Sequence, residues 1–390
     1  MATVLLIVIY MAFISLGLPD SVLGTAWPMM HIDINAPVNV AGVINMAVCI
    51  CTVIASVSSQ RVIRKFGTYA VTSFSILLTI TGLLLISTTQ SFLFLVLFSL
   101  PLGLGGGAID TALNNYVAKH YSAMQMNFLH AFWGIGTIIA PFLLSIYFDS
   151  GKTWRDGYHV LAAIQIAIFF IVLFSKRLWK NGESEKNQVD DMLDEDRKVY
   201  SIGQLLKVKG ALYSCLGFLF YSFESVSMLW MASYLVYGKG MNASLAASVS
   251  SMIYLGITAG RIASAFIVDR IQPKKLITIS QIMILMTVVL LYFTRIEALI
   301  YVLVFVLGFS FGPIFPIMVK QTVSYFHPSY SVGIIGLQMS FGYIGGMTLP
   351  PLYGLISSVT GRQDLLPAYL FILVALHFFV ITMKNRKCVK

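Results

Sequence analysis

The sequence predicts an all-α membrane protein whose twelve transmembrane helices form two pseudo-symmetric six-helix bundles, and three observations lead to this prediction. Of the 390 residues, 58% are hydrophobic and only 11% are charged, whereas soluble domains carry about a quarter charged residues. The apolar residues form twelve stretches, each near the ~20 helical residues that a bilayer core about 30 Å thick requires. One long polar segment, 180–206, separates the first six stretches from the last six.

The twelve apolar stretches are mostly uninterrupted by charge, which indicates that each crosses the bilayer as one span. They cover residues 3–30, 38–59, 68–88, 91–117, 123–147, 157–178, 208–237, 245–268, 275–293, 299–321, 331–356 and 366–383. Segment 180–206 carries seven acidic residues among its lysines and is too polar to build a core. We therefore expect an N-terminal bundle over 1–179, a cytoplasmic linker over 180–206 and a C-terminal bundle over 207–390.

The excess of basic residues is a topology signal. The chain has 26 Lys and Arg against 16 Asp and Glu, a net charge of +10. With the N-terminus inside, 20 basic residues fall in cytoplasmic loops and the tail, five fall in outer loops, and Arg261 lies within a span. This distribution follows the positive-inside rule and predicts a multi-pass protein of the plasma membrane with both termini cytoplasmic. Nucleic acid is not needed as a partner to explain the charge.

Composition and motifs also exclude several function classes. Such an apolar chain is neither a disordered protein nor a coiled coil nor a disulfide-rich secreted domain. The four cysteines lack metal-ligand spacing, and no Gly-x-x-x-x-Gly-Lys-Ser/Thr run for binding ATP phosphates occurs in the sequence. With no soluble catalytic domain either, we expect neither an enzyme nor a resident metal or organic cofactor.

The two halves of the chain contain similar sequence features in the same order, separated by a little over 200 residues. Residues 130–141 of span five run from a histidine through a Trp-Gly-Ile-Gly group to a proline, and residues 338–350 of span eleven run from a glutamine through a similar group to a proline. Glycine-rich stretches in spans four and ten, and basic turns after spans two and eight, keep the same order. Parallel repeats of this kind build transporters whose substrate site lies between the halves near the membrane midplane.

Three acidic residues lie well inside predicted spans: Asp20, Asp110 and Glu224. A charged side chain at the centre of a span costs ~2.5–3.5 kcal/mol on insertion scales, so each calls for a function or a partner. Burial favours the neutral form of a carboxyl group, which suits a group that binds and releases a proton. Asp20 follows Pro19, and its alternative role is to cap a half-helix beyond that proline.

Polar residues of spans four and five share helix faces. Asp110 and Asn114 are four residues apart, and Asn127, His130 and Trp133 follow one another at steps of three. A carboxylate beside an amide suits vicinal hydroxyl groups, while a flat indole covers the C–H face of a sugar. The alternative for Asp110 is a structural clamp with His130 or Arg261.

The C-terminal half offers a second set of polar residues. In span seven Glu224 lies three residues after Tyr221, and we expect both to face the substrate. In span eleven Gln338 stands where the repeat places His130, and it completes the predicted binding set. The alternative for Glu224 is a structural acid paired with a cation.

Twelve spans, a charged central loop and repeated basic turns resemble the major facilitator superfamily. The run from Gly260 and Arg261 to Asp269 and Arg270 is similar to that superfamily's cytoplasmic signature. The first copy, 59–67, keeps the basic residues but lacks the acidic one. The resemblance therefore implies a gating ion pair in the C-terminal half alone, with Arg261, Asp269 and Arg270 as its residues.

Within that superfamily, the sequence is similar to the fucose/glucose/galactose:proton symporter family. The likeness rests on Asp20, on the Asp110 to Asn114 run and on residues 126–140. In that family the first-span acid is the proton site, and the fourth-span acid binds sugar and links binding to protonation. The resemblance implies these roles for Asp20 and Asp110, with Asn114 and His130 as sugar contacts. Departures at Asp110, Asn115 and His130 leave the sugar itself open.

Together these features predict a secondary active transporter that acts as a monomer in the lipid bilayer and carries a small polar solute, a hexose, together with a proton. Sodium remains open as the coupling ion, because a carboxylate with nearby hydroxyls holds either ion. One alternative is a proton-antiport exporter of amphipathic drugs or lipids. Another is a transporter-like receptor that binds its ligand without moving it.

Overall fold

The computed structural model describes residues 2–121, 123–183, 200–267 and 270–388. These residues are almost entirely helical and contain no strand. Among them, eleven segments are long and apolar enough to cross a membrane, and each overlaps a predicted span. The remaining predicted span, 331–356, lies within the 33-residue helix Pro328–Thr360. The predicted all-helical membrane fold is confirmed.

The chain divides into two compact units. Unit 1 comprises Met1–Asp194 and Met241–Ser251, and unit 2 comprises Glu195–Gly240 and Met252–Lys390. The predicted linker 180–206 extends over this division, and its residues 184–199 lie outside the described part of the chain.

Unit 1 contains the first six helices. They are α1 Ala2–Asp33, α2 Ala41–Thr88, α3 Phe92–His120, α4 Ala123–Asp149, α5 Trp154–Phe174 and α6 Lys176–Glu183. Helix α1 packs mainly on α4, and α2 packs mainly on α3. Helix α2 contains two predicted spans, which meet near Gly67, where φ is 79° and the backbone leaves the helical region. Glycine adopts this left-handed φ without a steric penalty, so the predicted basic turn 61–67 ends at a bend.

Unit 2 contains the other helices of the described residues, and residues 241–251 of unit 1 supply the start of α10. The helices are α7 Ile202–Lys207, α8 Ala211–Tyr221, α9 Phe223–Ser233, α10 Ala243–Ile267, α11 Pro273–Phe293, α12 Glu297–Phe311, α13 Ile314–Tyr325, α14 Pro328–Thr360 and α15 Leu366–Cys388. Helix α8 packs mainly on α14 and α15, and α11 packs mainly on α12 and α15.

Two spans of unit 2 are broken helices. The span Ala211–Gly238 changes from α8 to α9 at Ser222 and ends in a π-helical turn over Tyr234–Gly238. The span Glu297–Thr322 is interrupted between Phe311 and Ile314, where Gly312 and Pro313 follow each other. Proline does not break every span in which it occurs, since Pro350 and Pro351 lie inside the continuous helix α14.

The core of unit 1 is built around α1. Ile9, Phe13 and Leu16 are buried there against side chains of α2, α3, α4 and α5. The fully buried Gln165 of α5 accepts a hydrogen bond from the Thr79 hydroxyl at 2.6 Å and donates one to the carbonyl oxygen of Ser15 at 2.8 Å. This amide joins α1, α2 and α5, and it satisfies polar groups that lipid could not.

Candidate functional site

Asp20 of α1 and Trp133 of α4 form the first polar contact of unit 1. The indole Nε1–H of Trp133 donates a hydrogen bond of 2.8 Å to Oδ2 of Asp20. Asp20 is exposed although it lies in the middle of the span Thr3–Asp33. Helix α1 continues through Asp20 without interruption, so the residue does not cap a separate half-helix. The carboxylate is therefore held by the indole through one of its oxygens, and the side chain retains exposed surface.

Two glycines allow α1 and α4 to approach closely enough for this contact. A Cβ added at Gly17 would lie 2.2 Å from the carbonyl oxygen of Trp133, and one added at Gly136 would lie 2.3 Å from that of Ile14. The two backbones are therefore in direct contact one turn from Asp20. Small residues at helix crossings permit such close packing within membranes.

Asp110 and Asn114 form the second polar contact, on α3. The Asn114 amide nitrogen donates to Oδ1 of Asp110 at 2.8 Å and to the carbonyl oxygen of Asp110 at 3.0 Å. Both side chains are half-buried. Their position on one helix face agrees with the i,i+4 spacing of the sequence. The amide of Asn114 thus holds one of the two carboxylate oxygens of Asp110.

The remaining predicted residues of unit 1 lie on α4. The exposed His130 contacts Phe13 edge to face, with ring centroids 5.9 Å apart. On the other two helices, Asp20 of α1 and Asp110 of α3 are near enough to interact electrostatically. The side chain of Asn127 lies outside the described part of the chain. Unit 1 thus brings together a pair of acids, an amide and an indole.

In unit 2, Glu224 pairs with Arg261. The two side chains are 3.8 Å apart, from Arg261 Nη2 to Glu224 Oε1, and they are 28% and 13% exposed for Arg261 and Glu224 respectively. Glu224 lies in the first turn of α9, where the helix N-terminus also favours a negative charge. The buried Tyr221 interacts electrostatically with both and donates a 3.3 Å hydrogen bond to the Phe311 carbonyl. The structure therefore contains the cation pair that we gave as the alternative for Glu224.

Gln338 occupies a different environment from the other predicted binding residues. It is fully buried. Its amide nitrogen donates to the Ser214 hydroxyl at 2.6 Å, and its amide exchanges hydrogen bonds with the Thr322 hydroxyl at 2.8 and 3.0 Å. These contacts join α8, α13 and α14, so the placement favours helix packing over the solute contact that we expected.

The predicted gating residues Arg261, Asp269 and Arg270 stay a prediction, because one of the three lies outside the described part of the chain. Arg261 lies beside Glu224 in the bundle, and Arg270 is exposed beyond the end of α10. Asp269 lies outside the described residues.

His377 of α15 is a buried polar residue that lies outside the predicted binding set. This residue is fully buried, its Nδ1 lies 2.7 Å from the amide nitrogen of Gln281, and its ring packs edge to face on Phe223 at 5.6 Å. It adjoins the Tyr221 ring at 6.4 Å. The presence of Gln281 and His377 in two otherwise apolar spans was the available signal, but no spacing within either span links them.

Residues 9–382 of this chain match the family model described as "Major Facilitator Superfamily". The glucose/mannose transporter GlcP of Bacillus subtilis (strain 168) is 23% identical over 332 residues, which cover 83% of this chain and 80% of GlcP.

Solved structures share the fold at low sequence identity. The crystal structure of a D-xylose-proton symporter aligns with a TM-score of 0.74 and 12% identity, covering 98% of this chain and 97% of that chain. The crystal structure of a mutant of the nucleoside transporter NupG aligns with a TM-score of 0.75 and 14% identity, covering 96% of this chain and 98% of that chain. At such identities the similarity shows the fold alone, which is that of membrane transporters.

Proposed function

The chain belongs to the Major Facilitator Superfamily, and on that premise we propose that it is a proton-coupled symporter of a small polar solute, a hexose, working by alternating access. The family identifies a multi-pass membrane transporter rather than an enzyme. The observation that carries the finer proposal is the hydrogen bond between Trp133 and the accessible carboxylate of Asp20.

Asp20 is the proposed proton site. A carboxylate in the middle of a span is expensive unless it is neutralised or hydrogen-bonded. Trp133 supplies one hydrogen bond, and exposure leaves the rest of the carboxylate accessible. Binding a proton removes the charge, so the protonated unit meets a smaller electrostatic penalty when access changes. The electrostatic interaction of Asp20 with Asp110 supports a link between protonation and solute binding.

Asp110 and Asn114 are the proposed solute contacts on α3, and Trp133 and His130 are the proposed contacts on α4. The acid and amide are preorganised by their mutual hydrogen bond, and a sugar presents the donors and acceptors that they require. The sequence similarity to the glucose/mannose transporter GlcP supports a hexose. Asn127 stays in the proposed set because of its spacing in the sequence.

The polar residues of unit 2 have a different proposed role. A charged cluster is formed by Glu224, Tyr221 and Arg261. It suits either the binding of a solute hydroxyl or the stabilisation of one conformational state. Gln338 instead serves helix packing. We propose a monomer in the plasma membrane with both termini cytoplasmic. The 20 basic residues on that side, against five on the other, support this orientation.

The first test is the external pH of weakly buffered, de-energised vesicles that contain the protein. A panel of hexoses, pentoses and nucleosides is added without sodium and then with sodium. We expect one sugar to alkalinise the medium without sodium, because the solute and the proton enter together.

Other outcomes of this test would change the assignment. A flat pH trace with sodium-dependent uptake would replace the coupling ion. A response to nucleosides alone would replace the substrate. No response to any polar solute would contradict symport and direct the search to amphipathic drugs or lipids as exported substrates. Saturable binding without flux would identify a receptor.

A further inference from the structure

An apolar groove lies on the surface of unit 2 between the end of α11 and the start of α15. Its volume is about 320 Å³, and its lining includes Val289, Tyr292, Phe293, Pro367, Phe371 and Ile372. Phe293 is 75% exposed and Ile372 56% exposed. Both helices are candidate membrane spans, and the groove lies at their ends, Phe293 and Gln363 being terminal residues of the two spans. It therefore lies near the bilayer surface.

Basic residues cluster at this end of the groove. The Lys239 ammonium donates to the carbonyl oxygens of Tyr292 at 2.9 Å and Thr294 at 2.7 Å, at the C-terminus of α11. The Arg362 guanidinium donates to Asp364 at 3.1 and 2.7 Å and to the Tyr292 hydroxyl at 3.4 Å. A wall residue of the groove, Tyr292, thus contacts both cations.

Arg295 adds a third positive charge and is exposed. It interacts electrostatically with Lys239 and Asp364. Burial lowers the pKa of Lys239, and the positive charge of Arg295 lowers it further. Lys239, Arg295, Arg362 and Asp364 together have a net charge of +2. Glu297, exposed in the first turn of α12, is the nearest further acid along the chain from Arg295.

We propose that this groove binds one anionic phospholipid, with an acyl chain along the apolar wall and the phosphate at Arg295. The Lys239 ammonium already donates hydrogen bonds to backbone carbonyls, and the Arg362 guanidinium already donates to Asp364. Arg295 is therefore the cation best placed to bind a lipid headgroup. The groove and its adjoining cations are complementary to the two parts of a phospholipid at a membrane surface. The apolar wall suits a hydrocarbon chain, and the cations suit a charged phosphate. A neutral solute would match only the apolar part, and a soluble anion only the charges.

The test uses the full-length protein purified in detergent and native mass spectrometry. Phosphatidylglycerol and phosphatidylcholine with identical acyl chains are titrated separately. We expect the wild type to retain one phosphatidylglycerol in preference to phosphatidylcholine. Arg295→Gln should weaken phosphatidylglycerol binding about fivefold, the factor that corresponds to roughly 1 kcal/mol for one basic residue near a membrane surface.

Two further variants separate the headgroup from the acyl chain. Ala368→Trp places a large ring in the groove lining and should reduce the binding of both lipids. Lys152→Gln is the matched control, since Lys152 is also an exposed loop cation beside a tyrosine, 4.6 Å from the Tyr147 ring. It should leave lipid binding unchanged. Equal retention of the two lipids by the wild type, or an equal loss of phosphatidylglycerol in Arg295→Gln and Lys152→Gln, would overturn the proposal.

Discussion

The indole of Trp133 donates a hydrogen bond to the carboxylate of Asp20 although 113 positions separate the two residues. The contact joins α1 to α4, and the Gly17–Gly136 backbone contact holds the two helices together. Hydrogen bonding to a carboxylate favours its charged form. Trp133 therefore opposes protonation of Asp20, and this hydrogen bond is one of the factors that determine the pH at which the proposed proton site loads.

Trp133→Phe tests this relationship because it keeps an aromatic ring and removes the N–H donor. Without the hydrogen bond the charged form of Asp20 is less stable and protonation is easier. We expect the pH of half-maximal uptake to rise by about one unit, which equals roughly 1.4 kcal/mol and lies within the range for a hydrogen bond to a charged group. The pH profile of uptake in vesicles measures this shift.

Trp154→Phe is the matched control for that variant. The Trp154 indole also donates to an aspartate of α1, Asp33, at 3.0 Å, but at the end of the helix. Arg155 contacts the same carboxylate. We expect this control to change stability without moving the pH profile. Equal shifts in both variants would show that Trp133 acts through general packing.

Asp110→Asn tests the proposed solute contact. The substitution keeps the size of the side chain and replaces the charged carboxylate, which would accept a hydrogen bond from a solute hydroxyl, with a neutral amide. A hydrogen bond to a charged group contributes ~1.5–3 kcal/mol, so we expect the solute affinity to fall roughly 10- to 100-fold. Counterflow of labelled solute measures the affinity without a proton gradient. Asn115→Ala is the control, since Asn115 is half-buried beside the pair without sharing its i,i+4 spacing. Unchanged affinity in Asp110→Asn would place the solute elsewhere.

The Glu224–Arg261 pair is testable by a double-mutant cycle. Removing one partner from a site that is mostly buried leaves the other charge unmatched, which costs more than the pair contributes. Because Arg261 is 28% exposed and Glu224 13% exposed, we expect Glu224→Gln or Arg261→Gln alone to lower stability by about 1–2 kcal/mol. The double variant should recover part of that loss. Strictly additive losses in thermal melting would rule out coupling.

Gly17→Ala tests the helix contact that positions Asp20. The new Cβ would lie 2.2 Å from the backbone oxygen of Trp133, which cannot move aside without shifting α4. We expect a loss of ~1–3 kcal/mol in stability, the usual range for overpacking, together with weaker proton coupling. Gly106→Ala is the control, because its Cβ would meet Leu16 at an ordinary distance of 3.6 Å. Equal thermal stability of Gly17→Ala and the wild type would contradict close contact.

Much of the fold was predictable because every span that crosses the hydrocarbon core must meet the same requirements. Each needs ~20 apolar residues and internal hydrogen bonds, so hydropathy alone indicates the helices. The sequence repeat also has a structural counterpart. A Cβ at Gly107 would lie 2.3 Å from the Thr52 carbonyl oxygen, and one at Gly308 would lie 2.1 Å from that of Ile253. The glycines of spans four and ten thus pack on spans two and eight respectively.

The site was predictable only where the chemistry is local. The Asp110–Asn114 contact follows from a four-residue spacing on one helix. The partners of Asp20, Glu224 and Gln338 come from distant helices, and single-helix periodicity carries no information on which faces meet. Gln338 illustrates the difficulty, because an amide in a span serves packing as readily as binding until its neighbours are known.

The central claim is that Asp20 carries the coupling proton, and Asp20→Asn tests it most directly. The asparagine keeps the size of the side chain but cannot bind and release a proton at this site. We predict that vesicles with this variant exchange labelled for unlabelled solute yet fail to concentrate solute under an inward proton gradient, while the wild type does both. Accumulation of solute by Asp20→Asn at the wild-type level would contradict the account.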